Sequence, residues 1–199
     1  MFKLRKGNVK MKQFLDYWNE VPVYRQLLPK GSRRSGQRMT TGQPIFAVFH
    51  DTGNINSTAQ NNVDYYINTY NIDISLTASA HLFVDDQEAI LCIPTDEKAW
   101  HVRYETTQDV KWYGYHANDA AIGLEACYFT SRARSLKSLE NACRVMAALC
   151  QSWNINHWNH MPGHQDLQQD KQDPGNLLAA CGYRRHDMIV IDQTVAKYL

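Results

Sequence analysis

The chain has 199 residues, of which 44% are hydrophobic and 21% charged, with a formal net charge of +1 and eight histidines. That supports one domain with a sizeable core and excludes a charge-rich disordered polymer. No apolar run reaches the roughly 18 to 20 residues of a membrane-spanning helix, and the start, MFKLRKGNVKMKQFLDYW, is basic but lacks the apolar stretch of a secretory leader.

The charge is unevenly spread. Residues 1–40 hold ten Lys/Arg against Asp16 and Glu20, net +8, and residues 41–199 hold eleven basic against eighteen acidic, net −7. The first forty residues read as a basic arm with one short helix around Met11–Glu20, and KGSRRSGQR (Lys30–Arg38) reads as a solvated loop. The loop has neither interleaved aromatics nor a nucleic-acid module, so nucleic acid is not expected as a partner, although such an arm suits an anionic surface.

The patterned domain, 41–199, begins after Gln43-Pro44. IFAVFH (Ile45–His50) reads as a buried strand ending in His50, and DTGN breaks it. Ser57 is expected to cap a helix whose Val63, Tyr66 and Ile67 share a face. HLFVDDQEAILCI (His81–Ile93) reads as a hairpin around Asp85–Glu88. AIGLEACYF (Ala121–Phe129) reads as a strand that turns Ile122, Leu124 and Ala126 one way and Gly123, Glu125 and Cys127 the other. From Leu139, the residues Cys143, Met146, Ala147, Cys150 and Trp153 recur at helical spacing. Interleaved strands and helices predict an α/β fold with helices packed on a sheet. The five cysteines, odd in number and without a CxxC pair, read as thiols of a reducing compartment, with Cys143 and Cys150 in the core.

His50 stands at a strand end before a turn, and His164 and Asp173 lie nine apart in PGHQDLQQDKQDPGN. Imidazole and carboxylate are good zinc ligands, and three protein ligands plus water is the pattern of a catalytic site. On the residues alone, a three-ligand centre and a chance spacing both stay open. Glu125 sits among apolar strand residues, where a carboxylate is costly unless it is paired or used. A salt bridge to an arm arginine and a role as general base or acid are the two readings.

Five segments in order, FHDTGN (Phe49–Asn54), SAHLFVDDQEAILCIP (Ser79–Pro94), AWH (Ala99–His101), IGLEACY (Ile122–Tyr128) and GHQD…DKQDPG (Gly163–Gly175), carry a resemblance. The chain resembles the zinc-dependent N-acetylmuramoyl-L-alanine amidases of the type 2 family, particularly those of phage and prophage endolysins. The resemblance implies a single domain with a central mixed β-sheet flanked by helices, as in peptidoglycan-recognition proteins. It also implies Zn²⁺ on His50, His164 and Asp173, the third ligand being cysteine in some members and aspartate in others. Glu125 takes the general-base role, and Lys171 matches a lysine that stabilises the transition state. One subgroup has a catalytic tyrosine where this chain has Ala80, which leaves more to Glu125. His81 and His101 are placed near the cleft as substrate contacts, with Trp100 offering an apolar face to a sugar or peptide. His116, His157, His160 and His186 match no motif and read as structural or surface residues.

The implied reaction is hydrolysis of the amide between N-acetylmuramic acid and L-alanine in bacterial peptidoglycan. The expectation is a protein made in the bacterial cytoplasm without a signal peptide, acting on the wall after holin-dependent release or lysis. A non-catalytic peptidoglycan-binding protein and a cytosolic muropeptide-recycling amidase are the alternatives; binding-only relatives have generally lost a zinc ligand, and here the full set is present. The ending HDMIVIDQTVAKYL has no linker character and is compatible with the catalytic portion of something longer.

Overall fold

The structure is a computed structural model that describes residues 11–199. Residues 1–10, with the first part of the basic arm and of the segment read for a leader, lie outside the described residues. In chain order the strands are β1 (Gln13–Trp18), β2 (Val21–Arg25), β3 (Phe46–Asp51), β4 (Leu82–Val84), β5 (Ala89–Leu91) and β6 (Ala121–Ala126). The helices are α1 (Ala59–Asn68), α2 (Gln108–Tyr113), α3 (Ala117–Ala120), α4 (Arg132–Trp153), α5 (His164–Leu167), α6 (Gly175–Cys181) and α7 (Met188–Ala196), with a 3₁₀ turn at Ile74–Leu76.

The strands form one sheet in the order β1-β2-β5-β4-β6-β3. β1/β2 and β4/β5 pair antiparallel and the other three pairs are parallel, so the sheet is mixed, as the resemblance implied. One face is apolar. Ala47 and Phe49 of β3, Leu82 and Val84 of β4, and Ile122, Leu124 and Ala126 of β6 join the stripe Leu139, Cys143, Met146, Ala147 and Cys150 of α4, with α6 and α7 packed alongside. α4 is capped at both ends: the Ser131 hydroxyl accepts the Arg134 N–H, and Asn154 turns left-handed at φ 54°. The pleat sends alternate residues of the same strands, Val48, His50, Gly123 and Glu125, to the opposite face. All five cysteines are free and buried.

Three local expectations are corrected. The Met11–Glu20 segment is a hairpin strand and turn rather than a helix. Asn19 and Glu20 both take positive φ, 45° and 69°, making a two-residue turn between Trp18 and Val21, and the alternating burial of Val21 and Val23 lets β2 join β5. The cap of α1 is Thr58, not Ser57; its hydroxyl accepts the Asn61 N–H while the Asn61 side chain accepts the Thr58 N–H.

The Lys30–Arg38 loop is a packed strap rather than a solvated connection. Arg33 is 3% exposed, donates to Thr69 O and to Ala78 O, and stacks over the Tyr66 ring at 4.4 Å. Arg34 grips Glu97 through two bonds of 2.8 Å. The guanidinium fork explains the reversal: its donors meet the Thr69 carbonyl, which the end of α1 leaves unpaired, and the Ala78 carbonyl of the following loop. A partly buried Lys12–Glu88 pair and a surface Arg38–Asp96 pair neutralise more of the arm. Among the described residues no helix is long and apolar enough to cross a membrane.

Candidate metal and catalytic site

The site is assembled at the C-terminal end of two neighbouring parallel strands. In the β3/β6 register His50 is opposite Glu125, so both side chains leave the sheet on the face away from α4. The second histidine arrives by a strand-like approach. Ala47 N–H donates to His160 O and Phe49 N–H to Pro162 O, and Phe49 bridges Gly163 in parallel, which delivers His164 beside His50. Gly163 has to be small there, because a Cβ would stand 2.8 Å from Pro174 Cδ and 2.9 Å from Met188 Sδ.

Asp173 is brought in by a residue that the sequence reading used only as a strand breaker. Asp51 accepts the N–H groups of Asn176 and Leu177 at 2.8 and 3.1 Å, capping the start of α6 and tying the Asp173 loop to the end of β3. Burial raises its carboxyl pKa against these bonds.

The three expected ligands converge. One atom each of His50, His164 and Asp173 lie within 4.8 Å of one another. His50 Nδ1 and His164 Nδ1 are 2.8 and 3.0 Å from the same oxygen, Asp173 Oδ2. Burial pushes the Asp173 carboxyl up; a positive charge at the two Nδ1 positions, whether protons on the imidazoles or a bound cation, pulls it down. Burial lowers the His50 pKa, favouring neutral imidazole.

The remaining ring nitrogens are spoken for. His164 Nε2 donates to Gln168 Oε1 at 3.2 Å, and the Gln168 amide is oriented by its own donation to Asp170 at 2.6 Å. His50 Nε2 donates to His101 Nδ1 at 3.1 Å, and His101 Nε2 in turn donates to Ala121 O at 3.4 Å. We assigned these tautomers from the network; they place both protons on Nε2 and leave two Nδ1 lone pairs facing a carboxylate oxygen. Such a convergence suits a cation and is repulsive without one, so the donor set fits a divalent metal.

His101 therefore stands behind a candidate ligand rather than only beside a substrate. Asn118 holds it by accepting the His101 and Val102 N–H groups at 2.9 Å. Its ring lies so close to β6 that a Cβ on Gly123 would be 2.7 Å from His101 Cγ. The expectation that His81 touches substrate is corrected: the side chain is fully buried, with Nδ1 accepting the Gly123 N–H and Nε2 donating to Glu97 O, both at 2.9 Å. Burial lowers its pKa to about 4. His116 is structural too, capping α3 through its ring.

Glu125 pairs with no arm arginine. It is walled in, its Oε2 has no hydrogen-bond partner, and burial raises its pKa well above the ordinary value, with Asp173 and Asp51 adding to the rise and Lys171 opposing it. Together with Lys171, Trp100, Tyr66 and the three candidate ligands it lines a depression of about 260 Å³. Trp100 is braced from the strap, its indole N–H donating to Ser32 O at 2.8 Å and its backbone N–H to Ser79 Oγ at 2.9 Å. The sequence reading missed Gln168, Asp51, Asn118 and Tyr66. Only Gln168 left a signal, the four-residue helical spacing from His164.

The chain is similar to known proteins in sequence and in fold. Residues 40–176 match the family model described as N-acetylmuramoyl-L-alanine amidase. A probable N-acetylmuramoyl-L-alanine amidase of Bacillus licheniformis is 32% identical over 108 residues, 54% of this chain and 30% of the relative. The amidase CwlA of Bacillus subtilis (strain 168) is 31% identical over 137 residues, 67% of this chain and 44% of the relative. Among solved structures, PlyL is 27% identical with a TM-score of 0.64, covering 86% of this chain and 94% of that one. The PlyG catalytic domain is 26% identical with a TM-score of 0.65, covering 88% and 93%. The chain spans about a third of the length of the first curated relatives it matches. With matching sequence over most of its length and the fold of these catalytic domains, the chain belongs to the N-acetylmuramoyl-L-alanine amidase family.

Proposed function

We propose that this chain hydrolyses the amide joining N-acetylmuramic acid to L-alanine in bacterial peptidoglycan, with zinc held by His50, His164 and Asp173. The observation that carries the reading is Glu125, a half-buried carboxylate whose Oε2 is buried and unpartnered in the same depression as the three converging donors and Lys171. Bound zinc supplies a Lewis acid that polarises the scissile carbonyl and makes water acidic enough to react near neutral pH.

Glu125, its pKa raised toward the working range, takes the proton of the attacking water and returns it to the departing nitrogen of L-alanine. Lys171 faces the charge that develops on the carbonyl oxygen. His101 and Gln168 keep the two imidazoles in the tautomer that presents Nδ1, and Trp100 walls the depression on the strap side. We take 41–199 as the catalytic unit, with the arm adding the edge hairpin and the brace beneath Trp100. The cell wall is the proposed site of action, reached after release; the relatives include a bifunctional autolysin of Staphylococcus aureus.

The test joins metal content to product. Purified protein should carry one zinc per chain by elemental analysis and release new amino termini from peptidoglycan. His50→Ala, His164→Ala and Asp173→Ala should each lose both. Full zinc content in any of the three would show the ligand set to be wrong.

A further inference from the structure

Next to the catalytic depression lies a series of hollows, each sharing wall residues with its neighbour. The depression shares Trp100, His101, His164 and Lys171 with a hollow of about 540 Å³, which shares Arg103, Glu105 and Gln168 with one of about 650 Å³. That third hollow shares Trp112 and Asp166 with a fourth of about 300 Å³, walled on its far side by Trp158. The two indoles are left in solvent, Trp112 49% and Trp158 54% exposed. Scattered exposed apolar residues are ordinary, but two tryptophans on one hollow are an apolar surface in want of a partner.

The polar groups around them are also unspent. Among the described residues no hydrogen bond uses either indole N–H, and Asp192, half-buried in the same wall, has neither a donor nor a cation. Burial pushes the Asp192 carboxyl up to about 7. Asp166 uses Oδ2 to accept the Gly163 N–H at 2.8 Å and leaves Oδ1 without a protein donor. The ligand that satisfies this hollow needs a flat apolar face for an indole, O–H or N–H donors for the carboxylates and an acceptor for indole N–H. It should carry no negative charge, because Asp166, and Asp192 once ionised, would repel it. A stem peptide, with its own carboxylates, meets this worse than an acetamido sugar does.

We infer that the hollow between Trp112 and Trp158 is a subsite for an N-acetylhexosamine unit of the glycan strand, at the far end of a groove that starts at the scissile amide. The inference rests on the peptidoglycan reading above. Sugar C–H faces stack on the indoles, hydroxyls and the amide N–H donate to Asp166 and Asp192, and the acetyl carbonyl accepts from an indole. The subsite makes the strand, and not only the peptide, part of what the enzyme recognises.

The test uses the whole chain and a neutral, peptide-free probe, the N-acetylglucosamine tetramer. The chain has five tryptophans, each with one indole N–H signal in a ¹⁵N-correlated spectrum. On titration the Trp112 and Trp158 signals should move while those of Trp18 and Trp153 stay, and Trp158→Ala, at an exposed position, should weaken binding about two- to tenfold without a change in melting temperature. Unmoved Trp112 and Trp158 signals, or shifts confined to Trp100, would overturn the subsite. In turnover, Trp158→Ala should lose more on fragments with long glycan strands than on a muramoyl dipeptide; equal losses would also overturn it. Tetramer binding without hydrolysis of either substrate would sink the amidase reading and keep the subsite. Hydrolysis without tetramer binding would do the reverse.

Discussion

Strand β6 carries two differently built surfaces one residue apart. Ile122, Leu124 and Ala126 are buried against α4 in an all-apolar contact. Gly123 and Glu125, facing the other way, meet the His101 ring and a depression in which a carboxylate oxygen has no partner. The first surface stabilises the fold through apolar area removed from water. The second holds a carboxylate oxygen without a partner, which costs stability and fits the proposed chemistry. Neighbouring residues on one strand should therefore fail in opposite ways.

The largest effect is expected at Glu125. Glu125→Gln should lower the hydrolysis rate on the order of 10²- to 10⁴-fold while the protein keeps its metal. The melting temperature should stay level or rise, since a buried unpaired carboxylate has become neutral. Near-normal turnover, or a lower melting temperature with loss of metal, would mean that the carboxylate supports the fold instead. Leu124→Ala is the mirror case: a fully buried side chain is removed, and denaturant unfolding should show a loss of about 2 to 5 kcal/mol. Its metal content and kcat at 25 °C should remain close to those of the parent.

Gly123→Ala tests the boundary between the two surfaces. The added methyl meets the His101 ring at 2.7 Å, so the ring must move from its place behind His50. Overpacking should cost about 1 to 3 kcal/mol, and a competing chelator should strip the metal more easily. A variant with lowered stability but unchanged chelator sensitivity would separate His101 from the metal site.

His81 sharpens the contrast from the other side: it is buried on the site's face, yet both ring nitrogens are used by backbone groups. Its folded pKa of about 4 lies below the ordinary 6.5. As pH falls below about 6.5 the unfolded chain takes up a proton that the folded one refuses, so this residue's contribution to stability is present at neutral pH and is lost towards pH 4. It should cost about 2 kcal/mol between pH 7 and pH 5. Unfolding of His81→Gln at the two pH values should show a smaller difference than the parent; an identical difference would remove His81 as its source.

How far the site could be read from the chain depended on whether a signal was local. The alternation Ile122, Gly123, Leu124, Glu125 already separates the two surfaces of β6, because the pleat obliges successive side chains to opposite faces. His50, His164 and Asp173 are residue types that suit a zinc site, but their spacing alone left a chance arrangement open, and the set was implied by the resemblance that the five ordered segments carry. The helix expected over Met11–Glu20 failed for a non-local reason: QFLDYW has no strong periodicity, and its state was decided by a two-residue turn to β2, whose own parallel partner β5 pairs with it 66 positions away. The strap failed similarly, since Arg33 is buried only because Thr69 and Ala78 present carbonyls to it.

Sequence by itself determined the α/β class, the strand that holds Glu125 and the long helix behind it, which follow from periodicity and propensity within short windows; the set His50, His164 and Asp173 was implied by the family resemblance, and the fold brings the three together. Only the tertiary structure decided that His101 backs His50 while His81 is a structural histidine, that Gln168 orients His164, and that Asp51 secures the loop carrying Asp173. Those roles depend on which buried donor meets which acceptor across 4 to 125 positions of chain. Hydrogen bonds of about 3 Å are made by the packing of the sheet, and a one-dimensional pattern does not encode their pairing.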